Sequence, residues 1–288
     1  MFTRARLLGM TVACALCGAA SGQVVYSENF DSYTNGQQLH GVNGWSGWEG
    51  DPAWGATATN SRSRSPSNSV EIGPAADLTR TWDNIAETGQ YEFSIWVYTP
   101  TGLTGQTYFI LLDKYENQAG FSHHWATQVE MNADTNEVTD NLGAGGTASI
   151  VPLVRDAWVE IKVAIDFGLD AQVTTYNGQE VFNGLWRRYG FANAQLRLRA
   201  VDLFGNNTGP AFYDDLTITQ VGGVVCPGQG AGACSRADWN EDGVIDFNDF
   251  LAFLNDFNNL DDCADLNGDG SVDFNDFLEF LNIFNAGC

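Results

Sequence analysis

Residues 158–166 read Trp-Val-Glu-Ile-Lys-Val-Ala-Ile-Asp, and this stretch decides the fold of most of the chain. Apolar side chains alternate with polar ones, as a strand with one buried face requires. The same two-residue period recurs in residues 91–98, and Asn177-Gly178 separates two further apolar runs, which is typical of a tight hairpin. Many short strands without a long amphipathic helix predict a mainly β, two-sheet sandwich over residues 23–221.

Residues 1–22 have the features of a secretory signal peptide. Arg4 and Arg6 precede a short apolar run, residues 7–20, which closes on Ala-Ser-Gly. The run is too short to span a bilayer, and no later stretch reads as a transmembrane segment. We therefore expect a mature protein that is secreted, extracellular or attached to a cell surface.

Charge is distributed unevenly along the chain. The formal net charge is −23, from 13 Lys and Arg against 36 Asp and Glu. Residues 238–288 contain 13 of those acidic residues and no Lys or Arg. Nucleic acid is therefore not an expected partner, because phosphate binding needs clustered basic residues. So dense an acidic segment is expected to bind a cation, since it would otherwise repel itself.

Two acidic segments at the C-terminal end repeat with an offset of 27 residues. Oxygen ligands recur at loop positions 1, 3, 5, 9 and 12, with a glycine at position 6, as in calcium-binding loops. Position 7 would contribute its backbone carbonyl. The expected ligands of two Ca²⁺ ions are Asp238, Asn240, Asp242, Val244, Asp246 and Asp249 in loop 1, and Asp265, Asn267, Asp269, Ser271, Asp273 and Asp276 in loop 2.

Each loop runs into a helix with a wide apolar face. Phe250, Phe253 and Phe257 follow loop 1 at helical spacing, and the same pattern follows loop 2. Such helices can bury each other. A Gly-rich segment rather than a helix precedes loop 1, so we read residues 222–237 as a linker and residues 238–288 as a small all-α domain.

This duplicated loop and helix resembles the type I dockerin, and the closing Gly-Cys is similar to the GC-type dockerins of exported bacterial proteins, notably planctomycete ones. Both position-12 residues are Asp, where an ordinary EF-hand has Glu. The resemblance implies folding on calcium and binding to a cohesin domain on a scaffold or cell surface. It also implies recognition near loop positions 10 and 11, which are Phe247-Asn248 and Phe274-Asn275.

Those recognition positions are identical in the two halves, which suggests that the partner could be bound in two orientations related by 180°. Core packing of Phe247 and Phe274 is the alternative. The familiar clostridial pairs are small hydroxyl residues, so Phe-Asn points to a different partner specificity.

Four cysteines remain once the signal peptide is removed, and all lie in or beside the C-terminal domain. An even number in an exported protein predicts two disulfides. Three pairings are open among Cys226, Cys234, Cys263 and Cys288.

The large domain resembles concanavalin A-like jelly-roll domains of secreted bacterial proteins. Three segments carry the resemblance: the opening residues 28–33, Glu-Asn-Phe-Asp-Ser-Tyr; the strand quoted above; and the closing residues 212–218, Phe-Tyr-Asp-Asp-Leu-Thr-Ile. That fold includes lectins, carbohydrate-binding modules and β-glucanases, so it does not determine function.

Three functions are compatible with this domain. A non-catalytic glycan-binding module is favoured by Trp45, Trp48 and Trp54, which cluster in a Gly-rich segment; core packing is the alternative for them. A jelly-roll glycoside hydrolase would need two suitably spaced carboxylates, and no Glu-x-Asp-x-x-Glu strand is present. A purely structural surface protein is the third. The dockerin resemblance implies a setting of polysaccharide catabolism.

A further metal site is suggested by the two ends of the sandwich. The first and last strands of such domains often lie together, which would bring Glu28 and Asp31 near Asp214 and Asp215. Four carboxylates with few basic neighbours could hold a structural calcium. The alternative is that Asp214 and Asp215 face solvent.

Overall fold

The structure is a computed structural model that describes residues 22–188, 194–207, 209–221, 227–228, 232–267 and 271–288. Within those residues, the large domain contains sixteen strands in two antiparallel sheets. The strands are β1 Gln23–Glu28, β2 Trp45–Gly47, β3 Thr57–Thr59, β4 Ser69–Ile72, β5 Asp77–Thr81, β6 Gln90–Tyr98, β7 Gln106–Lys114, β8 His124–Asn132, β9 Glu137–Asp140, β10 Gly146–Ala148, β11 Val151–Pro152, β12 Trp158–Asp166, β13 Ala171–Tyr176, β14 Gln179–Leu185, β15 Ala200–Asn206 and β16 Ala211–Gln220.

The two sheets face each other as a jelly-roll-like sandwich. The nine-stranded sheet has the order β10-β14-β13-β12-β6-β16-β4-β3, and β1 also pairs with β16. The seven-stranded sheet has the order β11-β9-β8-β7-β15-β5-β2. The predicted mainly β, two-sheet architecture is therefore confirmed.

Local sequence explains the central strands of the nine-stranded sheet. The predicted strand at 158–166 is β12, which pairs along its whole length with β6 from Trp158 opposite Tyr98 to Asp166 opposite Gln90. The predicted hairpin follows between β13 and β14, where Asn177 and Gly178 have φ of 50° and 73°. Both values lie in the left-handed region, which two-residue hairpin turns require and which Asn and Gly adopt readily.

The core lies between the sheets and takes alternate side chains from each strand. In β7, Phe109 and Leu111 point into it, while Ile110 and Leu112 belong to a second apolar cluster with Tyr115. The seven-stranded sheet is therefore apolar on both faces in this region. An exposed apolar face on an antiparallel sheet marks a candidate binding surface.

The C-terminal unit is built from two helices, α1 Phe247–Asn258 and α2 Phe274–Ala286. Phe253 and Phe280 are fully buried and stack in parallel, with ring centroids 4.0 Å apart. Trp239 contacts both rings edge-on. The expectation that the two apolar helix faces bury each other is confirmed.

The compact part of this unit starts earlier than residue 238. Ala237 is fully buried in the C-terminal core, and the backbone N–H of Cys234 donates to Asp238. The described end of the expected linker therefore packs as part of the unit. Residues 1–21 and most of 222–231 lie outside the described residues. No helix among the described residues is long and apolar enough to cross a membrane.

Candidate functional site: an aromatic cleft and two acidic loops

The second apolar face of the seven-stranded sheet forms an open cleft of about 290 Å³. Neighbouring strands β8, β7, β15 and β5 supply its floor, and the turn after β2 supplies one side. We call it the aromatic cleft, and its lining residues are Trp48, Asp77, Tyr108, Ile110, Trp125, Gln128, Asp202 and Phe204.

Two pairs of aromatic rings wall the aromatic cleft. Trp48 and Trp125 stack with centroids 6.2 Å apart and planes inclined by 21°. Tyr108 and Phe204 stack with centroids 5.6 Å apart and planes inclined by 24°. All four side chains are partly exposed, so their faces are accessible. Flat, accessible rings of this kind suit apolar faces of a ligand ring.

Trp48 is held in place by a short turn, residues 48–50. Glu49 has a φ of 53° there, which is unusual for a residue other than glycine. Its backbone N–H donates to the Tyr115 hydroxyl at 2.8 Å, and its carboxylate Oε1 lies 3.0 Å from His123 Nε2. The Trp48 ring also packs against Tyr115 and His123. The indole is thus fixed by contacts with the residue that follows β7 and the residue that precedes β8.

Two carboxyl groups, Asp77 and Asp202, meet at the floor of the cleft. Asp202 is only 2 % exposed. Oδ1 of each carboxyl is buried without a hydrogen-bond donor among the described residues, while the two side chains are in hydrogen-bonding contact with each other. Burial raises the pKa of Asp77 to about 6 and that of Asp202 well above its usual range. Two adjacent acids that cannot both ionise share a proton.

The three tryptophans proposed for glycan binding have different positions. Trp45 is 1 % exposed and packs against Phe30 in the sandwich core, so the prediction that it contributes to an exposed site is wrong. It lies in strand β2, all three residues of which are buried. Trp54 is 41 % exposed but does not line the cleft. Trp48 does line it.

Loop 1 of the C-terminal unit curls around its own acidic side chains. Asp238 is fully buried, and its Oδ2 accepts from the backbone N–H groups of Cys234 and Gly243, both at 3.0 Å. Asp249 is also fully buried and accepts from Asn240 and Asp246. Asp246 in turn caps α1, because its side chain accepts from the first turn of the helix.

Loop 2 repeats this arrangement at Asp273 and Asp276. Asp276 is fully buried and accepts from the N–H groups of Asn267 at 3.0 Å and Asp273 at 2.8 Å. Asp273 caps α2 as Asp246 caps α1. Asp269 lies outside the described residues. The two halves therefore share hydrogen bonding as well as sequence.

The donor set of both loops fits calcium. It consists of carboxylate, amide and carbonyl oxygens, which Ca²⁺ prefers, and no Lys or Arg occurs in residues 238–288 to neutralise the buried carboxylates. In loop 1 these carboxylates accept hydrogen bonds from loop amides. No group of three or more His, Cys, Asp or Glu side chains is arranged as a metal centre in the part of the chain that the structure describes.

Both expected recognition segments are exposed. Phe247 is 67 % exposed and Phe274 is 66 % exposed, although each is a large apolar side chain at the start of a helix. Each stacks on the phenylalanine three residues later, with centroids 5.9 and 6.0 Å apart. Asn248 and Asn275 are exposed beside them. Core packing, the alternative for Phe247 and Phe274, is therefore wrong.

One disulfide is described in full. Cys234 and Cys288 are bonded, with Cα atoms 5.3 Å apart. Cys263 is also disulfide-bonded and nearly buried, whereas Cys226 lies outside the described residues. The described bond joins the segment before loop 1 to the segment after α2.

The four carboxylates proposed as a further metal site are engaged by other groups of the protein. Strands β1 and β16 pair as expected, but Arg64 Nη1 lies 2.5 Å from Asp215 Oδ2, and backbone N–H groups donate to Asp214. Glu28 accepts from two side chains and Asp31 from an amide of another loop. The structure thus gives each carboxylate separate partners.

Comparisons with known proteins give only distant likenesses. No protein-family model and no curated protein matches the chain. Among solved structures, it is similar to the globular domain of T. cruzi calreticulin, with 12 % identity, TM-score 0.48 and coverage of 69 % of this chain and 89 % of that chain. It is also similar to a carbohydrate esterase from Shiga toxin-encoding bacteriophage phi24B, with 10 % identity, TM-score 0.47 and coverage of 69 % and 99 %.

A third solved structure in the comparison is the catalytic domain of a glycoside hydrolase family 131 protein from Coprinopsis cinerea. It shares 14 % identity with this chain at a TM-score of 0.42, and the match covers 70 % of this chain and 99 % of that one. At such distances, function has to be inferred from the residues of this chain.

Proposed function

We propose that this protein is a secreted, non-catalytic carbohydrate-binding protein whose aromatic cleft takes sugar rings of a polysaccharide. The aromatic cleft itself carries the proposal, because stacked, accessible rings stand beside carboxyl and amide groups. Sugar rings have apolar faces that pack on aromatic side chains and hydroxyl edges that hydrogen-bond to such polar groups.

Binding is favoured over hydrolysis by the spacing of the acids. Asp77 and Asp202 are the two carboxyl groups that line the cleft, and they are in hydrogen-bonding contact. Glycosidases keep their catalytic carboxyls about 5–5.5 Å apart for retention or about 6.5–9.5 Å apart for inversion. This pair is closer than either arrangement.

Affinity electrophoresis of the full chain against a panel of soluble polysaccharides tests the proposal. Trp125→Ala removes a cleft wall, while Trp54→Ala removes an exposed indole elsewhere and serves as the matched control. We expect retarded migration that Trp125→Ala abolishes and Trp54→Ala preserves. Absence of retardation across the panel would refute glycan binding, and release of reducing sugar would refute the non-catalytic assignment.

A second function is favoured by the C-terminal unit. We propose that loops 1 and 2 each hold one Ca²⁺ ion and that the unit docks on a cohesin-type domain of a scaffold or cell surface. The supporting observation is the duplication of two exposed phenylalanines, Phe247 and Phe274, each directly after an acidic loop whose position-12 carboxylate is buried. The docked protein would act in the setting of polysaccharide breakdown.

Binding of the full chain to immobilised cohesin-type domains tests this second proposal. We expect binding in the presence of calcium and its loss when a chelator is added. Binding that persists in excess chelator would contradict calcium-dependent docking.

A further inference from the structure

The Asp77–Asp202 pair has no cationic partner in the aromatic cleft. No Lys or Arg lines it among the described residues, and Oδ1 of each carboxyl lacks a donor there. Asp202 is buried almost completely. A buried carboxylate is expensive unless it is paired or coordinates a cation. The pair is therefore suited to a ligand that supplies a positive charge.

Three ligand classes can be compared against this geometry. Ca²⁺ requires six to eight oxygen ligands, but aromatic rings and Ile110 make up most of the lining. A neutral sugar would donate hydrogen bonds without neutralising the acids. A protonated amine would donate charge-assisted bonds to the carboxyls, and the aromatic faces would attract the same cation.

We infer that the aromatic cleft binds amino-sugar residues, with the ammonium group at Asp77 and Asp202 and the ring against Trp48 and Trp125. This inference rests on the proposed glycan-binding function and names its substrate class. Uronic acids and sulfated sugars are disfavoured, because they would place an anion beside two acids.

Binding of an ammonium should change the protonation of the pair. The empty pair shares one proton, and a bound cation favours both carboxylates, so the proton leaves to solvent. Other groups near the pair are Glu49, Tyr115 and Tyr213, whose charges or hydroxyls interact with it. On the neighbouring strands stand Tyr108 and Glu130, and His123 is paired with Glu49.

Calorimetric titration of the full chain tests the inference with three oligosaccharides of equal length and linkage. They carry an ammonium (glucosamine), an acetamide (N-acetylglucosamine) or a hydroxyl (glucose) at the same ring carbon. We expect the glucosamine oligomer to bind roughly 10- to 100-fold more tightly, as for hydrogen bonds to charged groups. At a pH low enough to keep the free glucosamine amines protonated, titration in two buffers of different ionisation enthalpy should show net proton release for this oligomer alone.

The variant Asp202→Asn distinguishes recognition by the Asp77–Asp202 pair from nonspecific attraction of cations to an acidic protein. The net charge of −23 would draw any polycation, but the variant changes it by a single charge. We expect loss of the preference for glucosamine and of proton release. The variant should fold, because it removes an ionisable group from a buried position; its melting temperature checks this, and Asp77→Asn is the second variant.

The outcomes distinguish amino-sugar recognition from glycan binding in general. Equal binding of the three oligomers, unchanged in Asp202→Asn, would overturn amino-sugar recognition and leave glycan binding intact. Binding of none of them, together with no retardation by any polysaccharide, would overturn both. Binding of an oligolysine peptide alone, sensitive to Asp202→Asn, would show that the cleft recognises ammonium groups of peptides and would also overturn the inference.

Discussion

Arg188 and Asp140 form an ion pair from which solvent is fully excluded. Arg188 Nη2 lies 2.6 Å from Asp140 Oδ2, and both side chains are 0 % exposed. The guanidinium also donates to the backbone carbonyls of Ala126 and Ala144 and lies over the Phe182 ring. This one cation therefore joins β8, β9 and β14 inside the sandwich.

Arg188→Met should destabilise the large domain by about 3–5 kcal/mol, because it leaves Asp140 buried without its partner. Replacing both residues with apolar ones should recover much of the loss. Urea unfolding measures both effects. Arg64→Met is the matched control, since its pair with Asp215 is 38 % exposed on the arginine side and should contribute about 1 kcal/mol or less. An equally small effect of Arg188→Met would contradict this account.

Asp113 should make the sandwich less stable at neutral pH than at acidic pH. Burial raises its pKa from 3.8 to about 6. Between those two values the folded protein holds a proton that the unfolded chain has lost, so the free energy of unfolding falls as pH rises through this window. The contribution is fully lost above about pH 6.

Asp113→Asn removes this titration while retaining an acceptor for the backbone N–H of Gln195. Relative to the wild type, we expect the free energy of unfolding of the variant to increase by roughly 2–3 kcal/mol between pH 4 and pH 8. Urea unfolding at both pH values checks it. An unchanged difference between variant and wild type would show that Asp113 does not titrate in this window.

Each loop should bind one Ca²⁺ ion, and a mutation in one loop should remove only the ion of that loop. Calorimetric titration of chelator-treated full chain is expected to give two ions, one ion for Asp249→Asn, and none for the double variant Asp249→Asn/Asp276→Asn. Circular dichroism should lose helical signal on chelation while the β signal stays. Glu279→Gln removes an acid outside the loops and should still bind two. A third ion would direct attention to the carboxylates beside Arg64.

The two exposed phenylalanines should be interchangeable in docking. If the halves bind a cohesin-type partner in two orientations, Phe247→Ser and Phe274→Ser should each weaken binding by about twofold, and the double variant should abolish it. Phe121→Ser removes a 52 % exposed phenylalanine of the large domain as a control. Loss of binding in one single variant would rule out two equivalent orientations.

Local features of the fold were predictable because a few neighbouring residues determine them. The alternation in β12 and the Asn177-Gly178 turn need only nearby sequence, and both are confirmed. The packing of the apolar helix faces was predictable for the same reason, because both helices belong to one short unit and each apolar face needs the other to be buried. The packing of residues before 238 against the unit was not predictable, because a Gly-rich stretch carries no periodic signal.

The aromatic cleft was missed because its residues come from distant segments. Asp77 and Asp202 meet only because β5 pairs with β15, and strand order is not encoded locally. One signal was available: residues 107–112 read Thr-Tyr-Phe-Ile-Leu-Leu, which is apolar on both faces. Closeness in sequence also does not ensure a shared location. Trp45 and Trp48 are three positions apart, yet the Trp45 indole lies in the core and the Trp48 indole lines the cleft.

The bond between Cys234 and Cys288 closes both loops and both helices of the C-terminal unit into one covalent ring, because one cysteine precedes loop 1 and the other follows α2. The ring reduces the conformational entropy of the unfolded unit. A single backbone cleavage between the two cysteines would leave both fragments joined by the disulfide. The unit is therefore built to stay in one piece where proteases are present.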